Sequence, residues 1–171
     1  MSAAGPPQGA NRAPSGGSAA AELANEAESV GDHSGSDVVE GGCLCGAVRY
    51  RITGTALSRG LCHCRTCRRA SGAPSVAWVT FRSSDVSFSA GEPMTFRSSP
   101  PVLRTFCGRC GTPLTYRHES DPDTIDVTTV SLDVPESFAP EREIWTEDKL
   151  PWEPLSAELP HYPRTRSDGA P

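Results

Sequence analysis

The amino-acid sequence predicts a mainly β domain of short antiparallel strands with little helix. Residues 46–52 alternate apolar and polar side chains, as a strand with one buried face does. Residues 76–81 and 124–130 are rich in β-branched and aromatic side chains, which favour strands. Only Arg65–Ser71 has the character of a helical turn, and Gly72 ends it.

A β-hairpin is predicted between the longer strands. Residues 86–88 and 94–97 form its two sides, and the Ala-Gly-Glu segment at residues 90–92 forms its turn. Residues 103–106 form a further strand that leads directly into a pair of cysteines. All of these strands are short, which agrees with a domain built from several antiparallel pairs.

The C-terminal part of the chain lacks a clear hydrophobic period. From Pro135 onward prolines are frequent, so we expect an extended segment on the domain surface, with Trp145 and Trp152 as its packing anchors. Residues 164–171 are predicted to be a short flexible C-terminus. The folded domain is therefore predicted at residues 39–163.

The N-terminal residues 1–38 are predicted to be a disordered tail. They are rich in Ala, Gly, Ser and Pro, so burial of apolar surface cannot offset the entropy of ordering them. They carry most of the formal charge of −5, and the nearly neutral remainder argues against a nucleic-acid surface. With no long apolar run for a membrane and no recognisable secretory signal, we expect a cytoplasmic protein, whose thiols stay reduced.

Seven cysteines fall into three short clusters, each beside a glycine or a turn. Clustered reduced cysteines are typical of metal sites. The Cys-Gly-Arg-Cys-Gly run at residues 107–111 is a zinc knuckle that needs two further ligands, and the Cys-Leu-Cys pair supplies that number. Pairing the knuckle with the middle cluster would instead give five thiolates. The prediction is one four-thiolate site (Cys43, Cys45, Cys107, Cys110) and one three-thiolate site (Cys62, Cys64, Cys67).

The two predicted zinc sites have different expected roles. Four thiolates fill the coordination of zinc, so that site is expected to be structural and to contribute on the order of 10 kcal/mol to folding. Three thiolates leave one position open, as catalytic zinc sites do. Their negative charge makes the metal a poor Lewis acid for hydrolysis, so a soft ligand such as a substrate thiol suits the open position better.

The histidines near the open site are weighed as ligands. His63 lies between two ligating cysteines in an extended segment, so its side chain is expected to point away from the metal. We predict that it packs at the surface or forms a hydrogen bond beside the site. His118 and His161 are distant in sequence, and a closed site completed by one of them stays an alternative.

The residues that follow the middle cluster are candidate ligand contacts. Arg68 and Arg69 are either a solvated helix face or partners for the carboxylates of an anionic thiol. Ser71 and Gly72 are expected to shape the mouth of the same site.

The cysteine motifs and their flanking residues resemble the glutathione-dependent formaldehyde-activating enzyme family, which also includes centromere protein V. The matching segments appear in the same order, and the resemblance extends over residues 38–163. Three ordered cysteine motifs make this similarity specific, whereas each motif alone would be weak. The segments are residues 42–46, 62–72 and 106–112, followed by residues 144–146, 150–152 and 159–163.

This resemblance implies a zinc-binding β-tent fold with two zinc ions. The four-cysteine set would hold structural zinc, and the three-cysteine set would hold catalytic zinc. The implied activity joins formaldehyde to glutathione to give S-(hydroxymethyl)glutathione, formally a carbon–sulfur lyase acting in the synthetic direction. The expected partners are therefore a small thiol and an aldehyde, with glutathione as a possible co-substrate.

Two other functions stay open at this stage. The first is a non-catalytic, zinc-stapled binding module that presents loops to a protein partner, since one fold can serve several functions. The second is a redox or metal sensor that releases zinc when the middle cluster is oxidised. The sequence does not predict an oligomeric state.

Overall fold

The computed structural model describes residues 38–165, and the predicted terminal tails lie outside this part of the chain apart from Val38, Arg164 and Thr165. Within the described part, no helix is long and apolar enough to cross a membrane. The helix α1 is Arg65–Ser71. The strands are β1 (Val39–Gly42), β2 (Arg49–Ile52), β3 (Ser58–Cys62), β4 (Val76–Arg82), β5 (Val86–Ala90), β6 (Met94–Ser99), β7 (Val102–Phe106), β8 (Pro113–His118), β9 (Thr124–Thr128), β10 (Glu143–Ile144) and β11 (His161–Tyr162).

The strands form two sheets. The small sheet has the order β1-β2-β5, and the large sheet has the order β11-β10-β3-β4-β9-β8-β7-β6. Most neighbours are antiparallel, but β10 pairs in parallel with both β3 and β11. The prediction of a mainly β domain with little helix is therefore confirmed, with these two parallel pairs as an exception to the predicted antiparallel arrangement.

The main core contains buried side chains from both sheets. Tyr50 and Ile52 of β2 are buried together with Val79 and Phe81 of β4, and each is at most 1% exposed. On β4 the core positions alternate with Trp78 and Thr80, which border a cavity instead. Since alternate side chains of a strand point to opposite faces, the large sheet has one core face and one cavity face.

The predicted hairpin between residues 86–88 and 94–97 is wrong. Strand β5 pairs with β2 in the small sheet, whereas β6 pairs with β7 in the large sheet. Gly91, between them, has a φ of 64°, and a Cβ there would lie 2.0 Å from the Ala47 carbonyl oxygen. The turn residues were therefore recognised, but the chain uses them to pass from one sheet to the other.

The C-terminal segment is more structured than predicted. It contains β10 and β11 as well as short 3-10 helices at Pro135–Phe138 and Thr146–Asp148. Trp145 packs against a small buried cluster, as expected, but Trp152 is 69% exposed and is not a packing anchor. The large aromatic anchor of this segment in the main core is Phe138, whose ring lies 6.0 Å from that of Phe81.

Candidate metal centres and the adjoining cavity

The four-cysteine cluster (Cys43, Cys45, Cys107, Cys110) joins two tight turns. One turn connects β1 to β2, and the other connects β7 to β8. Gly46 and Gly111 have φ values of 72° and 77°, a left-handed conformation that favours glycine. The turns close through backbone hydrogen bonds from Gly46 N to the Cys43 carbonyl at 3.0 Å and from Gly111 N to the Cys107 carbonyl at 2.8 Å.

The four sulfur atoms have the spacing that a tetrahedral metal needs. All four lie within 4.8 Å of one another. The Cys43–Cys45 and Cys45–Cys107 sulfur separations are 3.6 and 3.8 Å, close to the ~3.8 Å between tetrahedral corners about 2.3 Å from a zinc ion. The hydroxyl and backbone of Thr112 lower the pKa of the Cys110 thiol to about 5. These donors favour thiolate, the form that binds metals.

The three-cysteine cluster (Cys62, Cys64, Cys67) is built where β3 meets α1. Cys62 ends β3, Cys64 is the N-cap of α1, and Cys67 lies within the helix. The Cys64 sulfur accepts a hydrogen bond from Cys67 N at 3.3 Å, so the cap itself brings two ligand positions together. Gly72 ends the helix in the left-handed conformation, as the sequence predicts.

The three thiols cannot easily ionise together without a cation. Hydrogen bonds from Cys62 and Cys67 lower the pKa of Cys64 to about 2. The same hydrogen bond to Cys64 raises the pKa of Cys62, and burial raises it further. All three sulfurs nevertheless lie within 4.8 Å of one another. A divalent metal ion would balance this concentration of negative charge, so the residues present fit a metal centre.

His63 turns away from the cysteines, but it is fully buried rather than at the surface. Its Nε2 lies 2.6 Å from Glu143 Oε2 of β10, and its Nδ1 lies 3.4 Å from Glu153 Oε2. The second oxygen of Glu143 accepts a hydrogen bond from Ser156 N at 2.6 Å. The predicted hydrogen bond beside the site is therefore present, whereas the predicted surface packing is wrong.

The other two candidate histidines lie outside the metal-ligand groups found in residues 38–165. His118 Nδ1 lies 2.6 Å from the Ser120 hydroxyl at the end of β8. His161 Nε2 lies 2.7 Å from the Ser156 carbonyl oxygen. Neither supports the alternative of a site closed by histidine.

A cavity of about 520 Å³, which we call the larger cavity, opens beside the three-cysteine cluster. Asp126 borders this cavity, and burial raises the pKa of its carboxyl group. The same carboxyl group accepts a 2.6 Å hydrogen bond from the Thr80 hydroxyl. The cavity thus brings sulfur, cationic and carboxyl groups into one space. Its border includes Cys62, Cys64, Cys67, Arg104, Asp126 and Arg142.

Arg104 is a cavity residue that contacts the cysteine cluster directly. It is 8% exposed, and its Nη2 lies 3.6 Å from the Cys67 sulfur. Its Nε donates to the Ser98 hydroxyl at 3.1 Å, and its guanidinium lies 4.9 Å from the centre of the Tyr116 ring. These contacts hold a positive charge at the sulfur cluster while using only part of the five-donor guanidinium.

Sequence reasoning missed Arg104 and named Arg68 and Arg69 as candidates, with a solvated helix face as the other interpretation. Neither of those two arginines is among the residues that border the larger cavity, although Ser71 borders a neighbouring one. A signal for Arg104 was available, because it shares a strand face with the apolar residues Val102 and Phe106. A charged residue at a buried strand position needs a partner, and here the sulfur cluster and Tyr116 supply it.

The fold and the clusters define a β domain with two candidate metal centres, one of which borders a cavity. The chain belongs to the GFA family, whose model is described as glutathione-dependent formaldehyde-activating enzyme and matches residues 38–148. The suspected family is therefore confirmed. The chain is also similar to a crystal structure of a Rhodobacter sphaeroides protein, with 25% sequence identity and a TM-score of 0.48. The similar region covers 55% of this chain and 87% of the Rhodobacter chain.

Proposed function

We propose that this protein is a zinc-dependent carbon–sulfur lyase that forms or cleaves the adduct of a glutathione-like thiol and a formaldehyde-like aldehyde. The observation that carries the proposal is the three-cysteine cluster on the wall of the larger cavity, with Arg104 against Cys67. Membership of the GFA family supports the choice of thiol and aldehyde.

Both cysteine clusters are proposed to hold zinc. Cys43, Cys45, Cys107 and Cys110 would hold a structural ion, because four thiolates complete a tetrahedron. Cys62, Cys64 and Cys67 would hold the catalytic ion, which would accept a substrate thiol at its open position and lower the pKa of that thiol. A cytoplasmic location is proposed as well, because the cytosol keeps thiols reduced and able to bind metal.

Arg104 is proposed to prepare the cavity for an anionic thiol. Its charge offsets part of the negative charge of the cysteine sulfurs, so an approaching thiolate meets less repulsion. Its remaining donors, together with Arg142 on the same cavity wall, can bind a carboxylate of the thiol. Arg142 is fixed by a 3.0 Å hydrogen bond from its Nη1 to the Ser58 hydroxyl. The guanidinium groups of Arg104 and Arg142 therefore orient the thiol and take no part in bond formation.

The activity is tested by exchange NMR between formaldehyde and glutathione, using the full chain loaded with zinc. We expect the wild-type protein to accelerate the exchange and Cys64→Ala to lose that acceleration. Equal rates for the wild type, Cys64→Ala and buffer would eliminate the proposed enzyme and leave the binding-module alternative.

The role of Arg104 is tested by Arg104→Gln, with Arg68→Gln as the matched control outside the cavity. Loss of a charge-assisted hydrogen bond of about 1.5–3 kcal/mol corresponds to a roughly ten- to hundredfold lower kcat/KM for glutathione. The decrease should be much smaller with 2-mercaptoethanol, which has no carboxylate. An equal decrease for both thiols would contradict carboxylate recognition, and an effect of Arg68→Gln as large as that of Arg104→Gln would contradict the assignment.

A further inference from the structure

A second cavity of about 430 Å³, which we call the smaller cavity, lies next to the larger one on the same side of the large sheet. Both cavities are bordered by Cys67, Trp78, Ser98 and Arg104. The beginning of α1 borders the larger cavity, and Ala70 at its other end borders the smaller one. Cys67, within this helix, therefore lies where the two cavities adjoin.

The linings of these two spaces differ in chemistry. Besides Arg104, the larger cavity is bordered by the charged residues Arg65, Asp126, Arg142 and Asp148. Among residues 38–165, Arg104 is the sole Arg, Lys, Asp or Glu that borders the smaller cavity, and the remaining border consists of Cys67 and of small, hydroxyl and apolar side chains. Those side chains include Val76, Phe96, Phe106 and Pro113.

A group derived from formaldehyde would fill little of the smaller cavity. The hydroxymethyl group of that adduct contains one carbon, whereas a space of about 430 Å³ is within the range of whole ligand pockets. A charged, peptide-like thiol matches the larger cavity. Phe96 is 60% exposed at the smaller one, so burial of its ring by a ligand would be favourable.

We propose that the aldehyde partner of this enzyme carries an apolar, aryl-sized substituent that occupies the smaller cavity while its carbonyl carbon lies near Cys67. This inference rests on the proposed function and specifies its substrate. In the reaction the thiol sulfur bonds to the carbonyl carbon, the carbonyl π electrons move to the oxygen, and the thiol proton ends on that oxygen. The product is a hemithioacetal, so no oxidant or reductant is needed.

The inference is tested by calorimetric binding of two stable adduct analogues, S-methylglutathione and S-benzylglutathione, to the zinc-loaded full chain. The two probes share the peptide and differ by one phenyl ring. Burial of that ring in the smaller cavity is expected to lower the dissociation constant by about tenfold or more. Equal affinity for the two probes would overturn the inference while leaving the proposed function standing.

Two matched variants locate the effect. Ala70→Phe adds a ring at the smaller cavity and should remove the preference for the benzyl probe. Ala90→Phe makes the same change at an exposed position of β5 in the other sheet and should keep that preference. A preference that survives Ala70→Phe would overturn the site. If neither probe binds and formaldehyde exchange is also absent, the proposed function fails together with this inference.

Discussion

The two cysteine clusters differ in how their ligands are distributed along the chain and in what surrounds them. The four-cysteine cluster brings together turns 62 residues apart at Cys45 and Cys107. None of its members borders the larger or the smaller cavity. The three-cysteine cluster comes from residues 62–67, and all of its members border the larger cavity.

This difference supports the proposed division between a structural and a catalytic metal site. A metal that links distant turns reduces the freedom of a long loop in the unfolded chain, so its binding contributes to folding. A metal held by residues 62–67 closes almost no loop, and β3 and α1 already position these ligands. In the proposed function, the local cluster can therefore keep a coordination position for a substrate.

The largest expected effect comes from removing one ligand of each cluster. Cys107→Ala should unfold the domain, because the loss of structural zinc, on the order of 10 kcal/mol, is comparable to the whole stability of a domain. Cys64→Ala should keep the β circular-dichroism spectrum and bind one zinc ion fewer. Thermal unfolding and elemental analysis of the metal content measure both results. If the two variants melt at the same temperature, the proposed division of roles is wrong.

A smaller loss of stability is expected when the buried contact between Glu143 and His63, beside the three-cysteine cluster, is weakened. Glu143 is 1% exposed and holds His63 at 2.6 Å. The Glu143→Gln change replaces a carboxylate in a buried hydrogen bond by an amide, which leaves a buried polar atom poorly paired and costs about 1–3 kcal/mol. Urea unfolding of Glu143→Gln should show this loss of free energy of unfolding.

The matched control lies two positions earlier in the same segment. Glu141 forms an ion pair with Arg59, and its side chain is 46% exposed. The Glu141→Gln change should lower the free energy of unfolding by less than about 1 kcal/mol. A loss in Glu141→Gln as large as that in Glu143→Gln would show that burial is not the deciding factor.

Much of the cysteine arrangement could be predicted from sequence because spacing restricts which sulfurs can meet. The two-residue gap between Cys107 and Cys110 and the cap at Cys64 are local, so turn chemistry determines them. Strand runs such as residues 76–81 could be recognised for the same reason. Pairing between strands is a long-range property, so the sequence predicted a hairpin where β5 and β6 belong to different sheets.

The cavity was the part that local patterns did not predict. Strand β10 has only two residues, and its parallel pairing with β3 places Glu143 against His63, about 80 residues earlier. Arg104 reaches Cys67 across 37 residues. Such contacts depend on the complete order of the strands in the sheet. Neither Glu143 nor Arg104 belongs to a sequence motif with a known mechanism.

The smallest expected effect concerns an exposed ion pair near the four-cysteine cluster. Arg49 Nη1 donates to Asp133 Oδ1 at 2.9 Å, and this guanidinium lowers the pKa of Asp133 from its ordinary value of 3.8. A carboxyl whose folded pKa is lowered stabilises the fold above its ordinary pKa and loses this contribution as the pH falls through the folded value. Both side chains are partly exposed, so solvent limits the contribution to less than about 1 kcal/mol.

We therefore expect Asp133→Asn to lower the free energy of unfolding slightly and equally at pH 7 and pH 5, because both values lie above 3.8, the ordinary pKa of the Asp133 carboxyl. Thiolate sites also lose metal in acid, so the comparison is made within the pH range in which both proteins keep their metal. Urea unfolding of the wild type and Asp133→Asn side by side measures the difference in their free energies of unfolding. A difference above about 2 kcal/mol at pH 7 would mean that this pair acts like a buried one. The four-cysteine region would then depend on side-chain charges as well as on its metal.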